Sequence, residues 1–176
     1  MSLEHDLTLT DRERVRETLS QLAGRLNRKL NLHDLIDEWR HFAVAVNQGY
    51  RWSLETYNRD VAIRDMLEEI AESLSMSGRQ RLMDDIRESD QDFILATWDP
   101  DRPLDTFSPQ LEIGWWQYRV PRYPGGKLFD DLQELGYPPY IPAEPDSNSD
   151  LAREFMDFEM QSPDTIVPPD SQAQPT

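Results

Sequence analysis

Apolar side chains recur every three or four residues through the first hundred positions, which is the spacing of helices with one buried face. The first stripe runs from Val15 to Leu30, and Thr10 with Glu13 forms a capping box in front of it. Three further stripes follow. The second helix is expected to start near Asn31 or Leu32, Ser53 can cap the third, and Ser77 with Gln80 forms a capping box for the fourth. The pattern predicts four helices with short connections, as in an antiparallel bundle or a close relative.

The distribution of proline divides the chain, because all 13 prolines lie between Pro100 and Pro175. A helix interior disfavours proline by about 3 kcal/mol. The sequence therefore predicts a mainly α fold: a bundle of about four helices with a proline-rich, partly extended C-terminal wrap and a short tail helix. We expect a helical body over residues 1–99, a wrap rich in proline and aromatic residues packed on it over 100–143, and an acidic tail over 144–176.

The wrap carries a mixture of aromatic, β-branched and basic residues. Residues 111–123 predict a short strand or an extended segment laid on the bundle, and residues 127–135 predict a short helix ended by Gly136. Residues 114–127 contain Arg119, Arg122 and Lys127 and no acidic residue. Aromatic rings among arginines can bind single-stranded nucleic acid, and the same segment could instead serve as a dock for the acidic tail.

The tail is predicted to contain one amphipathic helix over residues 150–161. Leu151, Phe155 and Phe158 fall on one face of it, at spacings of four and three. A helix of about 12 residues is marginal alone, so it either docks on its own body or binds a groove on a partner, and the sequence leaves both open. We expect disorder from residue 168 to the end.

Net charge and composition narrow the function classes. The chain carries 34 acidic and 18 basic residues, a net charge of −16, which disfavours sequence-independent binding to duplex DNA. Cysteine is absent, so no disulfide or thiolate zinc site can form. No apolar run approaches the length of a membrane span, and the first residues lack the pattern of a secretion signal. These features predict a cytoplasmic protein without a membrane span.

One spacing on the second predicted helix could bind metal. Glu38 and His41 form an E-x-x-H pair, the spacing used by carboxylate-bridged di-metal bundles. Such sites need a second copy of the motif, and the chain has only three histidines and no second copy. We therefore expect no cofactor and no metal, and no motif in the sequence favours an enzyme.

The leading hypothesis is a non-catalytic protein that binds another protein, such as an inhibitor, an immunity-type protein or an adaptor. The partner is expected to offer a basic or apolar groove. The expected contact residues are Leu151, Phe155, Phe158, Trp115, Trp116 and Arg119. Two alternatives remain: a helical-bundle enzyme or metal carrier that uses Glu38 and His41, and a single-stranded nucleic-acid binder that uses residues 114–127. The sequence leaves the oligomeric state open.

Overall fold

The computed structural model describes residues 7–100 and 114–140, and helices dominate both ranges. Four long helices come first: α1 Leu9–Leu26, α2 Leu32–Asn47, α3 Leu54–Ser73 and α4 Met76–Ala96. A shorter helix, α5, spans Gly126–Glu134. The predicted mainly α fold with a body of four helices is confirmed. The predicted tail helix over residues 150–161 lies outside the described residues.

Each long helix begins at a side chain that accepts a hydrogen bond from the backbone N–H three residues ahead, as N-caps do. The four N-caps are Thr8, Asn31, Ser53 and Ser75. The predicted start of the second helix near Asn31 and the predicted cap Ser53 are confirmed. The predicted caps Thr10 and Ser77 are wrong by two residues, because in both places an earlier hydroxyl already fills the cap position.

The first helix also ends earlier than its apolar stripe. Asn27 adopts the left-handed conformation with φ of 50° and ends α1 after Leu26, which asparagine tolerates better than most residues. The prediction that the helix continues to Leu30 is therefore wrong. Leu30 lies in the connection to α2 and still packs against the core.

The core is built mainly around α2, which packs most extensively against α4 and next against α3, while α1 packs against α3. Five rings form an interior aromatic cluster in which neighbouring ring centroids lie 5.1 to 5.6 Å apart: Trp39, Phe42, Tyr50, Tyr57 and Phe93. All five are buried, so the cluster forms the aromatic part of the core.

A two-stranded antiparallel ribbon joins the end of the bundle to the described part of the wrap. Strand β1, Thr97–Trp98, follows α4 directly and pairs with β2, Val120–Pro121, in the register Thr97↔Pro121 and Trp98↔Val120. A 3-10 helix, Trp115–Tyr118, precedes β2. The predicted strand or extended segment over residues 111–123 is thus, from residue 114 onward, a 3-10 turn followed by a two-residue strand.

The helix predicted over residues 127–135 is present as α5, one residue earlier at each end, and it packs against α3. Gly136 follows with φ of 71°, a left-handed conformation that glycine adopts without steric cost. The described residues all belong to one compact unit. The boundaries expected after residues 99 and 143 stay predictions.

Candidate protein-binding surface

A buried arginine on α3 anchors the wrap to the bundle. Arg64 is 3% exposed, and its Nε lies 3.1 Å from Oδ1 of Asp90 while its Nη1 lies 2.9 Å from Oε2 of Glu68. Its guanidinium carbon is 4.4 Å from the ring centroid of Trp116, a distance at which a cation is attracted by the ring face. Trp39 Nε1 also donates to Asp90 Oδ1, at 2.8 Å. The wrap is therefore held by a buried, hydrogen-bonded ion cluster.

The next residue on α3 fixes the 3-10 helix from a second direction. Oδ1 of Asp65 accepts hydrogen bonds from Trp116 Nε1 at 2.8 Å and from Gln117 Nε2 at 2.6 Å. Burial raises the pKa of Asp65 above its ordinary value. Trp116 is only 5% exposed, so this sequence-predicted contact residue packs inside the fold and does not form part of the surface described below.

Arg119 and Arg122 of the wrap point at the carboxyl end of α4. Arg119 donates from Nε to Thr97 Oγ1 at 2.8 Å and from Nη2 to the Ile94 carbonyl at 3.0 Å. Arg122 donates from Nε to the Thr97 carbonyl at 3.0 Å. Cations at this end of a helix are favoured by its dipole. Arg119, expected to contact a partner, thus stabilises the helix end and the ribbon, and burial lowers its pKa.

Trp115 occupies an intermediate position among the predicted contact residues. It is 38% exposed, and the centroid of its ring lies 6.2 Å from that of Phe93 and 5.6 Å from that of Trp116. Part of its ring therefore rests on the core and part faces solvent. The remaining predicted anchors, Leu151, Phe155 and Phe158, lie outside the described residues.

An aromatic groove lies between the ribbon, α5 and residues 137–140. Its volume is about 290 Å³. Five aromatic side chains line it: Trp98, Tyr123, Phe129, Tyr137 and Tyr140. Tyr123 is 69% exposed and Phe129 is 47% exposed. Four prolines complete the walls: Pro121, Pro124, Pro138 and Pro139.

The rings in the groove are held against one another. The centroid of Tyr140 lies 6.0 Å from that of Trp98 and 5.9 Å from that of Tyr123, and the planes of the two tyrosines cross at 87°. The guanidinium carbon of Arg122 lies 5.1 Å from the centroid of Tyr140. These contacts place exposed rings on a fixed scaffold.

The α5 wall of the groove is fastened to the connection between α2 and α3. The Gly125 amide donates to the Tyr50 carbonyl at 2.9 Å, and the Lys127 amide donates to the Arg51 carbonyl at 3.1 Å. Gly126 has φ of 50°, and a Cβ placed on it would lie 2.9 Å from the Arg51 carbonyl oxygen. Glycine is thus required where the two segments meet.

Asp131 joins α5 to the first turn of α3. Its Oδ2 accepts from the Leu54 amide at 2.9 Å, and its Oδ1 pairs with Lys127 Nζ. The hydrogen bond from Lys127 lowers the pKa of Asp131. Lys127, one of the three cations proposed for nucleic-acid binding, is therefore paired within α5. Arg119 bonds to the end of α4, and Arg122 bonds there through its Nε.

Glu38 and His41 are placed apart from this surface. Arg28 Nη2 lies 2.7 Å from Glu38 Oε1 and 2.9 Å from its Oε2, so both carboxylate oxygens accept from one guanidinium. His41 is exposed. Within residues 7–100 and 114–140, no group of three or more histidine, aspartate and glutamate side chains is placed to hold a metal ion.

The groove was not identified from the sequence. The sequence between Trp98 and Tyr140 is rich in aromatic residues and prolines. The spacing of these residues does not show which of them come together in the folded protein. No protein-family model matches the chain, and no curated protein or solved structure matches it. None of the helices in the described part of the chain is long and apolar enough to cross a membrane.

Proposed function

We propose that this protein acts by binding another protein, without catalysis, and that the aromatic groove is its contact surface in the described part of the chain. The observation that carries the proposal is the set of exposed rings on a fixed scaffold, Tyr123 and Phe129 above all. Aromatic residues and arginine supply most of the energetic anchors of protein interfaces. An inhibitor, an immunity-type protein or an adaptor acts in this way.

The rigidity of the groove supports this function. A partner that binds a preformed surface loses less conformational entropy than one that must order loops. The ring contacts of Tyr140 and the backbone bonds from Gly125 to Tyr50 and from Lys127 to Arg51 give the groove its shape before any partner binds. The net charge of −16 would in addition raise the association rate with a partner that is basic outside the contact.

The test is an affinity capture from source lysate with three forms of the full chain as bait. The wild type is compared with Phe129→Ser, which removes an exposed ring from the groove, and with Met76→Ser. Met76 is a suitable control because it is 91% exposed and lies at the opposite end of α4 from the ribbon. A length of about 30 Å separates the two ends of such a helix.

A protein that the wild type and Met76→Ser both capture, and that Phe129→Ser loses about tenfold, supports the proposal. Equal capture by all three forms places the interface elsewhere and contradicts the role of the groove. A wild-type bait that captures nothing specific contradicts the binding function itself.

The tail anchors remain part of the proposal and need a bait of their own. A full chain with Phe155→Ser and Phe158→Ser tests whether the tail adds to the contact. Loss of the captured protein with this variant supports a second anchor in the tail, and unchanged capture removes the tail from the interface. Cell fractionation tests the expected cytoplasmic location.

A further inference from the structure

We propose that the aromatic groove binds an extended, proline-containing segment of the partner, with one carboxylate of that segment placed against Arg122. This inference rests on the proposed function and specifies the chemistry of the partner. The lining and the charge of the groove each contribute to it.

The aromatic residues that line the groove favour a segment that contains proline. Polyproline II segments dock into grooves lined by aromatic rings, and they do so at low entropic cost because they are extended before they bind. Trp98 and Tyr123 flank Tyr140 at 6.0 and 5.9 Å, so adjacent ring surfaces are available to successive prolines. Pro138 and Pro139 of the protein itself lie in the wall of the groove, next to Tyr140.

The charge of the residues that line the groove indicates that the bound segment carries a carboxylate. Among the described residues that line the groove, Arg122 is the one that carries a charge. Its Nε bonds to the Thr97 carbonyl, and its guanidinium carbon lies 5.1 Å from the centroid of Tyr140. The cation therefore lies beside a ring that the segment would contact, where its Nη groups can donate to a carboxylate. The side-chain amide of Gln133, on the opposite wall, can bond to a carbonyl of the same segment.

A local carboxylate is compatible with the acidic character of the whole chain. At physiological ionic strength, exposed charges farther away than about 8 Å are largely screened. An ion pair in contact with Arg122 is screened much less, and arginine can bind a carboxylate through two parallel hydrogen bonds. The partner can therefore be basic overall and still present one acidic, proline-containing segment.

The test uses the full-length protein and three synthetic peptides at 0.15 M salt: (Pro-Pro-Glu)3, (Pro-Pro-Gln)3 and (Ala-Ala-Glu)3. Binding is measured by the anisotropy of a fluorescent label on each peptide. We expect (Pro-Pro-Glu)3 to bind about tenfold more tightly than (Pro-Pro-Gln)3, and (Ala-Ala-Glu)3 to bind more weakly than both. In NMR spectra, the indole N–H signal of Trp98 should shift on binding while that of Trp115 stays in place.

Two variants assign the result to the groove. Arg122→Gln should remove the advantage of the glutamate peptide over the glutamine peptide, and Arg122→Lys should restore part of it. Phe129→Ser should weaken both proline peptides about tenfold and Met76→Ser neither. Equal binding of all three peptides, or an unchanged preference in Arg122→Gln, overturns the inference. So does a concentration-dependent dimer that Phe129→Ser dissociates, because a second copy would then occupy the groove.

The two proposals fail separately. If no proline peptide binds, yet Phe129→Ser still loses the partner captured from lysate, the groove binds a protein of different chemistry and only this inference is wrong. If (Pro-Pro-Glu)3 binds as expected, yet all baits capture the same protein equally, the groove has the stated chemistry and the proposed function of the surface is wrong.

Discussion

The molecule contains two groups of aromatic residues that use similar side chains in opposite ways. In the interior cluster, polar edges are bonded: Tyr50 donates to Asp60 at 2.6 Å and Tyr57 to the Arg119 carbonyl at 2.9 Å. In the groove, no hydrogen bond from Tyr123 to the described part of the chain is found, and its ring faces solvent. The difference separates a cluster that stabilises the fold from one that is available for contact.

The largest expected loss of stability comes from a variant in the interior of the protein. Arg64→Ala would leave Asp90 bonded to Trp39 and Glu68 paired with the exposed Arg79. Because several charged hydrogen bonds of a buried side chain are lost, the free energy of unfolding should fall by about 3 kcal/mol. Arg59→Ala serves as the control because this α3 arginine is exposed and pairs loosely with Asp60, so about 0.5 kcal/mol or less is expected. Urea denaturation measures both, and equal losses would contradict a structural role for the Arg64 cluster.

A pair of hydroxyl deletions compares the two groups directly. Tyr57→Phe removes the donor to the buried Arg119 carbonyl and should cost about 1–3 kcal/mol. Tyr123→Phe removes a hydroxyl at the surface and should change stability by about 0.5 kcal/mol at most. Thermal melts of the two variants check this, and a loss in Tyr123→Phe as large as that in Tyr57→Phe would remove the distinction.

Two carboxylates inside the body should respond to pH in opposite directions. Hydrogen bonds from the Ser75 amide and from Thr8 lower the pKa of Asp11, so its contribution is present above the unfolded value, about 3.9, and is lost as pH falls through the folded one. Burial raises the pKa of Asp65, so its contribution is complete below the unfolded value and is lost as pH rises through the folded one.

Melting temperatures of two variants, measured between pH 3 and 7, test the direction of each pH dependence. Asp11→Asn should destabilise at pH 7 by about 1–2 kcal/mol, as a lost capping group does, and the difference from wild type should shrink on acidification. Asp65→Asn can still accept from Trp116, so it should match or exceed wild-type stability at pH 7 and lose this advantage at low pH. Parallel curves for both variants would contradict the assignments.

The groove variant should affect stability less than the interior variant Arg64→Ala. Phe129→Ser should lower the free energy of unfolding by about 1 kcal/mol, because only about half of its ring is buried, while it reduces binding. Urea denaturation beside the capture experiment checks both. A loss of stability as large as that of Arg64→Ala would make Phe129 a packing residue and would require a different groove variant for the binding tests.

The helical fold was accessible from the sequence because its signals are local. Apolar spacing and capping residues located α2 and α3, and the errors at Thr10 and Ser77 arose where two hydroxyls compete for one cap. The wrap was harder to predict because neighbouring residues of the same type differ in burial. In the 3-10 helix, with about three residues per turn, Trp115 is directed partly to solvent and Trp116 to the core.

The groove was inaccessible for a related reason. Its walls come from Trp98, residues 120–124 and residues 129–140, and no periodicity reports that distant segments meet. The roles of Arg119 and Arg122 were equally hidden, since a sequence shows a cation but not the carbonyl it bonds. Charge counts suggested an exposed basic segment, whereas the fold uses these cations at the end of α4.

The pairing of Trp98 with Tyr140 sets the earliest time at which the groove can exist. Their rings meet across 42 positions of the chain, and Gly125 bonds to a carbonyl 75 positions earlier. During synthesis, N-terminal parts of a protein emerge first, at about 5–20 residues per second. The four long helices can therefore leave the ribosome several seconds before residue 140, so a nascent chain would carry a bundle but no groove.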